Sequence, residues 1–257
     1  MNILVVNDDG YDSPGINVLV DSLQGLGSIY VVAPKTEKSA TSRAVTFANP
    51  IKVEPFERAG IKQGWRIVGT PTDCVKLAIG KLLPRKPDLV VSGINHGDNA
   101  GSDIAYSGTV AAAAEGVAHG VPSIAFSITT HNHEIDMSVV VQTVKYLLSF
   151  MRPEAILPGN LLNVNVPAVA PEKIKGIRIT TQGIKRYHNI MEERKDPRGN
   201  SYYWLGGREE AEPQDKDTDV VRLKENYISI TPLQLDFTAY DTLDYYREFL
   251  KNNPFSL

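Results

Sequence analysis

Ile3-Leu4-Val5-Val6-Asn7-Asp8-Asp9-Gly10 is the stretch that decides the fold. Four consecutive apolar residues that give way at once to polar ones read as a short strand buried in a parallel sheet. Two adjacent carboxylates and a glycine at the carboxyl end of a first parallel strand lie where open α/β sheets place their ligands. Neighbouring side chains on a regular strand point to opposite faces, so Asp8 and Asp9 face one ligand only where the strand has ended and the chain is turning. Gly10 permits that turn. Held together, two carboxylates repel each other and lose solvation, which is costly without a cation. A divalent metal ion is the simplest partner for the pair; a solvated acidic loop is the alternative.

Outward from this stretch the pattern repeats. Ile16 to Leu26 carries apolar residues at helical spacing, and Ser28 to Pro34 is a second strand, which completes a βαβ unit and implies a parallel sheet. Residues 35–50 are polar, as functional loops at strand ends are. Ile51 to Glu54 and Trp65 to Val68 alternate like a hairpin or meander. Thr72 to Leu83 reads as a helix capped by Thr72 or Asp73. Asp88 to Ser92 is a further buried strand, followed by a loop of glycines and oxygen-bearing side chains from Gly93 to Asn99. Ser107-Gly108-Thr109 opens an alanine-rich helix to Ala118, Pro122 to Ser127 is a strand, and Ser138 to Phe150 an amphipathic helix. After about residue 160 the alternation is lost. Strands are expected at 161–166, 176–181 and 227–233 and a short helix at 243–250, with little periodicity across 182–219.

The expected fold class is α/β with a mixed, mostly parallel sheet. Residues 1–181 form the core, and 182–257 an irregular arm that returns to it. The chain has 257 residues, net charge −3, 42% hydrophobic residues and a single cysteine. That balance suits one sizeable globular core and gives no basic field for a nucleic-acid polymer. One cysteine excludes an intrachain disulfide and fits a reducing compartment. Nothing resembles a signal peptide or an apolar run of membrane-spanning length, so a cytoplasmic protein without a membrane partner is expected.

Three loops then converge on one sheet edge: Asn7 to Ser13, Lys35 to Thr46 and Gly93 to Thr109. They carry Asp8, Asp9, Ser39, Ser42, Asn95 and Asn99. An oxygen-only set suits magnesium or manganese rather than zinc. Ser107-Gly108-Thr109 at a helix start offers N–H groups and hydroxyls to a phosphate oxygen, or is a plain helix cap. P-loop and dinucleotide fingerprints are absent from the sequence. His131-Asn132-His133-Glu134 reads as a polar loop rather than a zinc site, because its spacing fits no familiar zinc pattern. Cys74 lacks an activating partner and reads as buried structure. Tyr202-Tyr203-Trp204 reads as core or subunit contact.

The blocks Val5-Val6-Asn7-Asp8-Asp9-Gly10, Gly69-Thr70-Pro71-Thr72-Asp73-Cys74, Ser92 to Asn99 and Tyr106 to Ala111 resemble the signature blocks of the SurE family, the stationary-phase survival proteins. Asp196-Pro197-Arg198-Gly199, Tyr202-Tyr203-Trp204 and Ser229 to Leu233 are similar too, and the likeness runs in order along nearly the whole chain. It implies a Rossmann-like three-layer sandwich and metal-dependent hydrolysis of nucleoside 5′- and 3′-monophosphates and of short polyphosphate. It implies one Mg2+ or Mn2+ per subunit on Asp8, Asp9, Ser39 and Asn95, with Asn99, Ser107, Gly108 and Thr109 on the substrate phosphate. It also implies a homodimer or homotetramer in which the C-terminal extension is exchanged. Asp8, Asp9 and Asn95 are the expected catalytic residues. One departure stands out: the family pattern has a glycine after the ligand serine, where this chain has Ala40.

Two other classes share parts of the pattern. A signalling receiver module also places two acids after its first strand, but Gly93 occupies the position of its phosphoacceptor aspartate. The chain is also about twice the length of one such domain. A nucleotide-sugar-binding transferase half shares the sheet pattern and needs no metal at Asp8 and Asp9.

Overall fold

The computed structural model describes residues 1–150, 153–188, 191–210 and 212–255. In chain order the elements are β1 (Asn2–Val6), α1 (Pro14–Ser22), β2 (Ser28–Pro34), β3 (Lys52–Phe56), β4 (Gln63–Val68), α2 (Pro71–Leu77), β5 (Leu89–His96) and α3 (Gly108–Ala118). They continue with β6 (Ser123–Ile128), α4 (Ser138–Phe150), β7 (Asn160–Val166), β8 (Ile177–Ile179), β9 (Arg186–His188), β10 (Met191–Lys195) and β11 (Ser201–Leu205). The last are β12 (Arg208–Glu210), α5 (Asp219–Lys224), β13 (Ile228–Gln234) and α6 (Leu243–Asn252).

Nine strands make one sheet in the order β3-β4-β2-β1-β5-β6-β7-β13-β8. From β4 to β7 every neighbouring pair is parallel; β3 on β4 and β13 on β7 are antiparallel. This is the mixed, mostly parallel sheet that the βα alternation predicts. The pleat explains the layers. Ile3 and Val5 of β1 join a core with Ile16, Leu19 and Val20 of α1 and Val140 and Val144 of α4. Leu4 and Val6, on the other face, pack with Cys74 and Val75 of α2 and Ala112 of α3. Cys74 is fully buried there, as expected.

Local boundaries shift for physical reasons. α2 is capped by Thr70, not by Thr72 or Asp73. The Thr70 hydroxyl accepts from the Asp73 N–H, the Asp73 carboxylate accepts from the Thr70 N–H, and Pro71 sits at the first helical position. β5 runs on to His96, past the expected end at Ser92. Its register on β6 shifts between Ser92 and Asn95, taking up one more residue on β5 than on β6.

The stretch 182–219 holds more order than its composition suggests. β10 pairs antiparallel with β11, and β9 with β12. β13 is a sheet member in its own right, with Ile228 and Ile230 buried. Tyr202, Tyr203 and Trp204 are not core in the single chain: they are 41%, 61% and 58% exposed.

Candidate active site

The carboxyl ends of β1, β2, β5 and β6 open on one cavity of about 560 Å3. Each wall is pinned by local chemistry. Asn7 donates its amide to the Gly10 carbonyl and the Ser13 hydroxyl, both at 2.8 Å, which fixes the turn carrying Asp8 and Asp9. Gly10 takes φ +109°, as the expected turn requires. The 35–50 loop lies across this turn through the Lys38 N–H on the Asp8 carbonyl (2.7 Å). It is held down by Arg43 on Glu115 (2.9 and 2.7 Å), Ser42 on the Ala105 carbonyl (2.7 Å) and Thr46 on Asp73 (2.6 Å).

Asp8, Asp9, Ser39 and Asn95 all line the cavity. Asp8 is buried and accepts a hydrogen bond from the Thr109 hydroxyl on Oδ1. Burial pushes the Asp8 carboxyl up to about 6 against the pull of Thr109, and the neighbouring Asp9 charge adds to the rise. Oδ2 of Asp9 is buried without a hydrogen-bond partner. Ser39 donates to Glu37 at 2.6 Å, and Asn95 spends its amide N–H on the Gly97 carbonyl at 2.7 Å, so its carbonyl oxygen is left to accept.

The charge balance of the lining is one-sided. Asp8, Asp9, Asp12, Glu37, Asp98 and Asp103 contribute to it, and the described lining residues include neither Lys nor Arg. From outside the lining, Lys185 reaches Asp98 at 2.5 Å and Asp103 at 2.9 Å. Burial works against the Lys185 charge, but those carboxylates outweigh it and hold the ammonium above the usual lysine range. Among the described residues neither Asp8 nor Asp9 has a lysine or arginine on it; the imidazole Nδ1 of His96 lies 3.9 Å from Oδ2 of Asp9. A buried, unpartnered carboxylate oxygen beside a second carboxylate is unfavourable unless a cation joins it. Among the described residues, no group of three or more His, Cys, Asp or Glu side chains is arranged to hold a metal. Asp8, Asp9, Ser39 and Asn95, the oxygen donors expected at a hard cation, all line this one cavity.

The four positions expected at a phosphate separate into two groups. Asn99 and Ser107 line the cavity. Asn99 is locked in place: its N–H donates to Asn165, its side chain to Ser127 at 2.8 Å, and its carbonyl accepts from Asn163 and Asn165. Ser107 caps α3, accepting from the Val110 N–H at 3.1 Å, so it is both cap and cavity wall. Gly108 and Thr109 lie behind Asp8, outside the lining. A Cβ on Gly108 would fall 2.8 Å from Cβ and Oδ2 of Asp8, so only glycine lets α3 approach the carboxylate this closely. The Thr109 hydroxyl is spent on Asp8. Ser42 stays outside the lining, bound to Ala105.

Sequence reading missed one wall. His96, His131 and His133 also line the cavity. His131 and His133 lie on the loop after β6, a fourth loop at the same sheet edge; the rule that found the other three loops applies to it equally.

A family model described as "Survival protein SurE" matches residues 3–189. The 5′-nucleotidase SurE of Syntrophomonas wolfei subsp. wolfei is 47% identical over 248 residues, covering 96% of this chain and 94% of the relative. That of Heliobacterium modesticaldum is 42% identical, with 100% and 95% coverage. The crystal structure of the SurE protein from Aquifex aeolicus superposes with a TM-score of 0.83 at 38% identity, covering 97% of this chain and 99% of that one.

Proposed function

The chain belongs to the SurE family, and from that membership we propose that it is a metal-dependent 5′-nucleotidase acting at the Asp8–Asp9 cavity. The relatives named 5′-nucleotidase cover nearly its whole length, which supports hydrolysis of nucleoside 5′-monophosphates. The observation that carries the metal is the buried, unpartnered Oδ2 of Asp9 beside Asp8. Asp8, Asp9, Ser39 and Asn95 would hold one Mg2+ or Mn2+, which supplies Lewis acidity and neutralises phosphate charge.

The chain's own residues do the rest. Asp8, the carboxylate at the end of β1, would orient the attacking water and take up its proton. Asp9 and Asn95 anchor the reacting end. Asn99 and Ser107, which line the cavity, receive phosphate oxygens, and Gly108 serves them by letting the α3 N-terminus approach Asp8. Thr109 serves the phosphate through Asp8, whose orientation it fixes. An acid-lined cavity has no basic side chains for a second and third phosphate, so monophosphates are preferred over triphosphates. 3′-Monophosphates present the same phosphomonoester and are further substrates; short polyphosphate, a more highly charged chain of anhydrides, is a weaker one.

Residues 1–181 carry the site, and 182–257 supply the assembly arm, with β13 returning to the sheet. The protein works as a homodimer or homotetramer in the cytoplasm; among the described residues, no helix is long and apolar enough to cross a membrane. Specificity constants for AMP, GMP and ATP with Mn2+ test the substrate reading. AMP and GMP should exceed ATP, and a clear preference for ATP would overturn it.

A further inference from the structure

Resting on the nucleotidase reading, we propose that His133, backed by His96 and flanked by His131, is the wall on which the base of the nucleotide stacks. The cavity of about 560 Å3 is larger than a phosphate needs, and its lining holds two chemistries side by side. Asp8, Asp9 and Asn95 make the reacting end, and imidazoles make another wall.

His133 packs one face against His96, with ring centroids 4.2 Å apart and planes at 44°. His133 itself is exposed and lines the cavity, so its ring is accessible to a ligand there. His96 beneath it is 6% exposed, and both its ring nitrogens are buried without a hydrogen-bond partner. Its Nδ1 lies 3.9 Å from Oδ2 of Asp9, which places the imidazole wall next to the reacting end. A buried polar ring with two unmet nitrogens marks a seam that a polar ligand completes. His131 is seated closely on the neighbouring loop. Gly97 has φ +107°, and a Cβ there would come within 2.5 Å of His131 Cε1. A side chain at Gly97 would displace that histidine, so the loop after β6 is fitted onto the loop after β5.

The chemistry of this wall selects a ligand class. Stacking on a flat ring suits any nucleobase, because every base has a π-face, and it favours the larger purines. Such a wall distinguishes a nucleotide from a bare sugar phosphate without reading the base closely. His133 is therefore a specificity-determining residue, acting on the part of the substrate that does not react.

The test compares kcat/KM for AMP and for ribose 5-phosphate, which lacks the base, in the wild-type protein and in His133→Ala and His133→Phe, with Mn2+. The AMP to ribose 5-phosphate ratio should fall about ten-fold in His133→Ala, chiefly through KM for AMP, the scale of losing one base–aromatic stack. His133→Phe should keep the ratio, since the flat ring remains. An unchanged ratio in His133→Ala, whether neither rate falls or both fall together, overturns the stacking wall and leaves the nucleotidase reading standing. A ratio lost equally in His133→Phe also overturns it, since the imidazole's proton chemistry would then be what matters. A wild-type protein that hydrolyses neither compound overturns both.

Discussion

The Thr109 hydroxyl, in the first turn of α3, donates to Oδ1 of Asp8, which lies 101 positions earlier at the end of β1. The bond joins the two halves of the site: the turn that bears the carboxylates and the helix start that bears Ser107. It favours the charged form of Asp8 against burial. Thr109→Val should raise the Asp8 carboxyl further and weaken Mn2+ binding at pH 7 by about ten-fold or more, since a hydrogen bond to a charged group contributes ~1.5–3 kcal/mol. Thr109→Ser should retain most of the affinity. Calorimetric titration with Mn2+ measures both; a valine variant that binds like the wild type removes the role assigned to this bond.

Asp8 also sets a pH dependence. With its carboxyl at about 6, a metal binding below that pH must displace a proton, so affinity should fall about ten-fold per unit below pH 6. For the metal-free protein the sign is different. The folded value lies above the unfolded value of about 3.9, so the folded state binds more protons and stability declines as pH rises from about 4 to 6. Added metal restores it above that range. Thermal melts with Mn2+ and with EDTA should differ more at pH 7 than at pH 5; an equal difference at both would contradict the linkage.

Ala40 sits on the cavity rim at φ +56°, in the left-handed region where a side chain is disfavoured. This is the position where the family pattern has glycine. Ala40→Gly removes a steric cost of ~1–2 kcal/mol and adds unfolded-state freedom, so a net gain of about 0.5–1 kcal/mol is expected. The urea midpoint should rise with an unchanged slope. A fall in the midpoint would show that the loop holds this conformation without strain.

Tyr202 and Trp204 expose aromatic surface on one face of β11 and Tyr203 on the other, area that a partner chain would cover. Light scattering should give a dimer or tetramer, and Trp204→Glu should shift it towards monomer with the far-ultraviolet spectrum retained. A strict monomer at high micromolar concentration would contradict an assembly role for this ribbon.

How far the sequence reaches depends on whether a residue's setting is local. β1, β2 and β6 were legible because their side chains are buried on both faces, which leaves an uninterrupted apolar run. β10 was not. Met191-Glu192-Glu193-Arg194-Lys195 is exposed at every position, so no core imprints a period on it, and only pairing with β11 makes it a strand. Asp8, Asp9 and Ser39 were legible as cavity residues because they follow strand ends, and Asn95 likewise, although it lies within β5 rather than on the loop after it. That Thr109 faces Asp8 rather than the cavity was not, because it depends on how closely α3 packs at Gly108. His131 and His133 carried a readable signal in their place after β6, but weighed only as zinc ligands and found ill-spaced for that, they read as a plain polar loop.

The most direct test of the account is phosphate release from AMP by the full-length protein at pH 7, followed with Mn2+ present, after excess EDTA, and after Mn2+ is restored. The account predicts release with metal, its loss in EDTA and its return, with Asp9→Asn inactive throughout and folded by circular dichroism. Equal release in EDTA, or wild-type rates from Asp9→Asn, would contradict it.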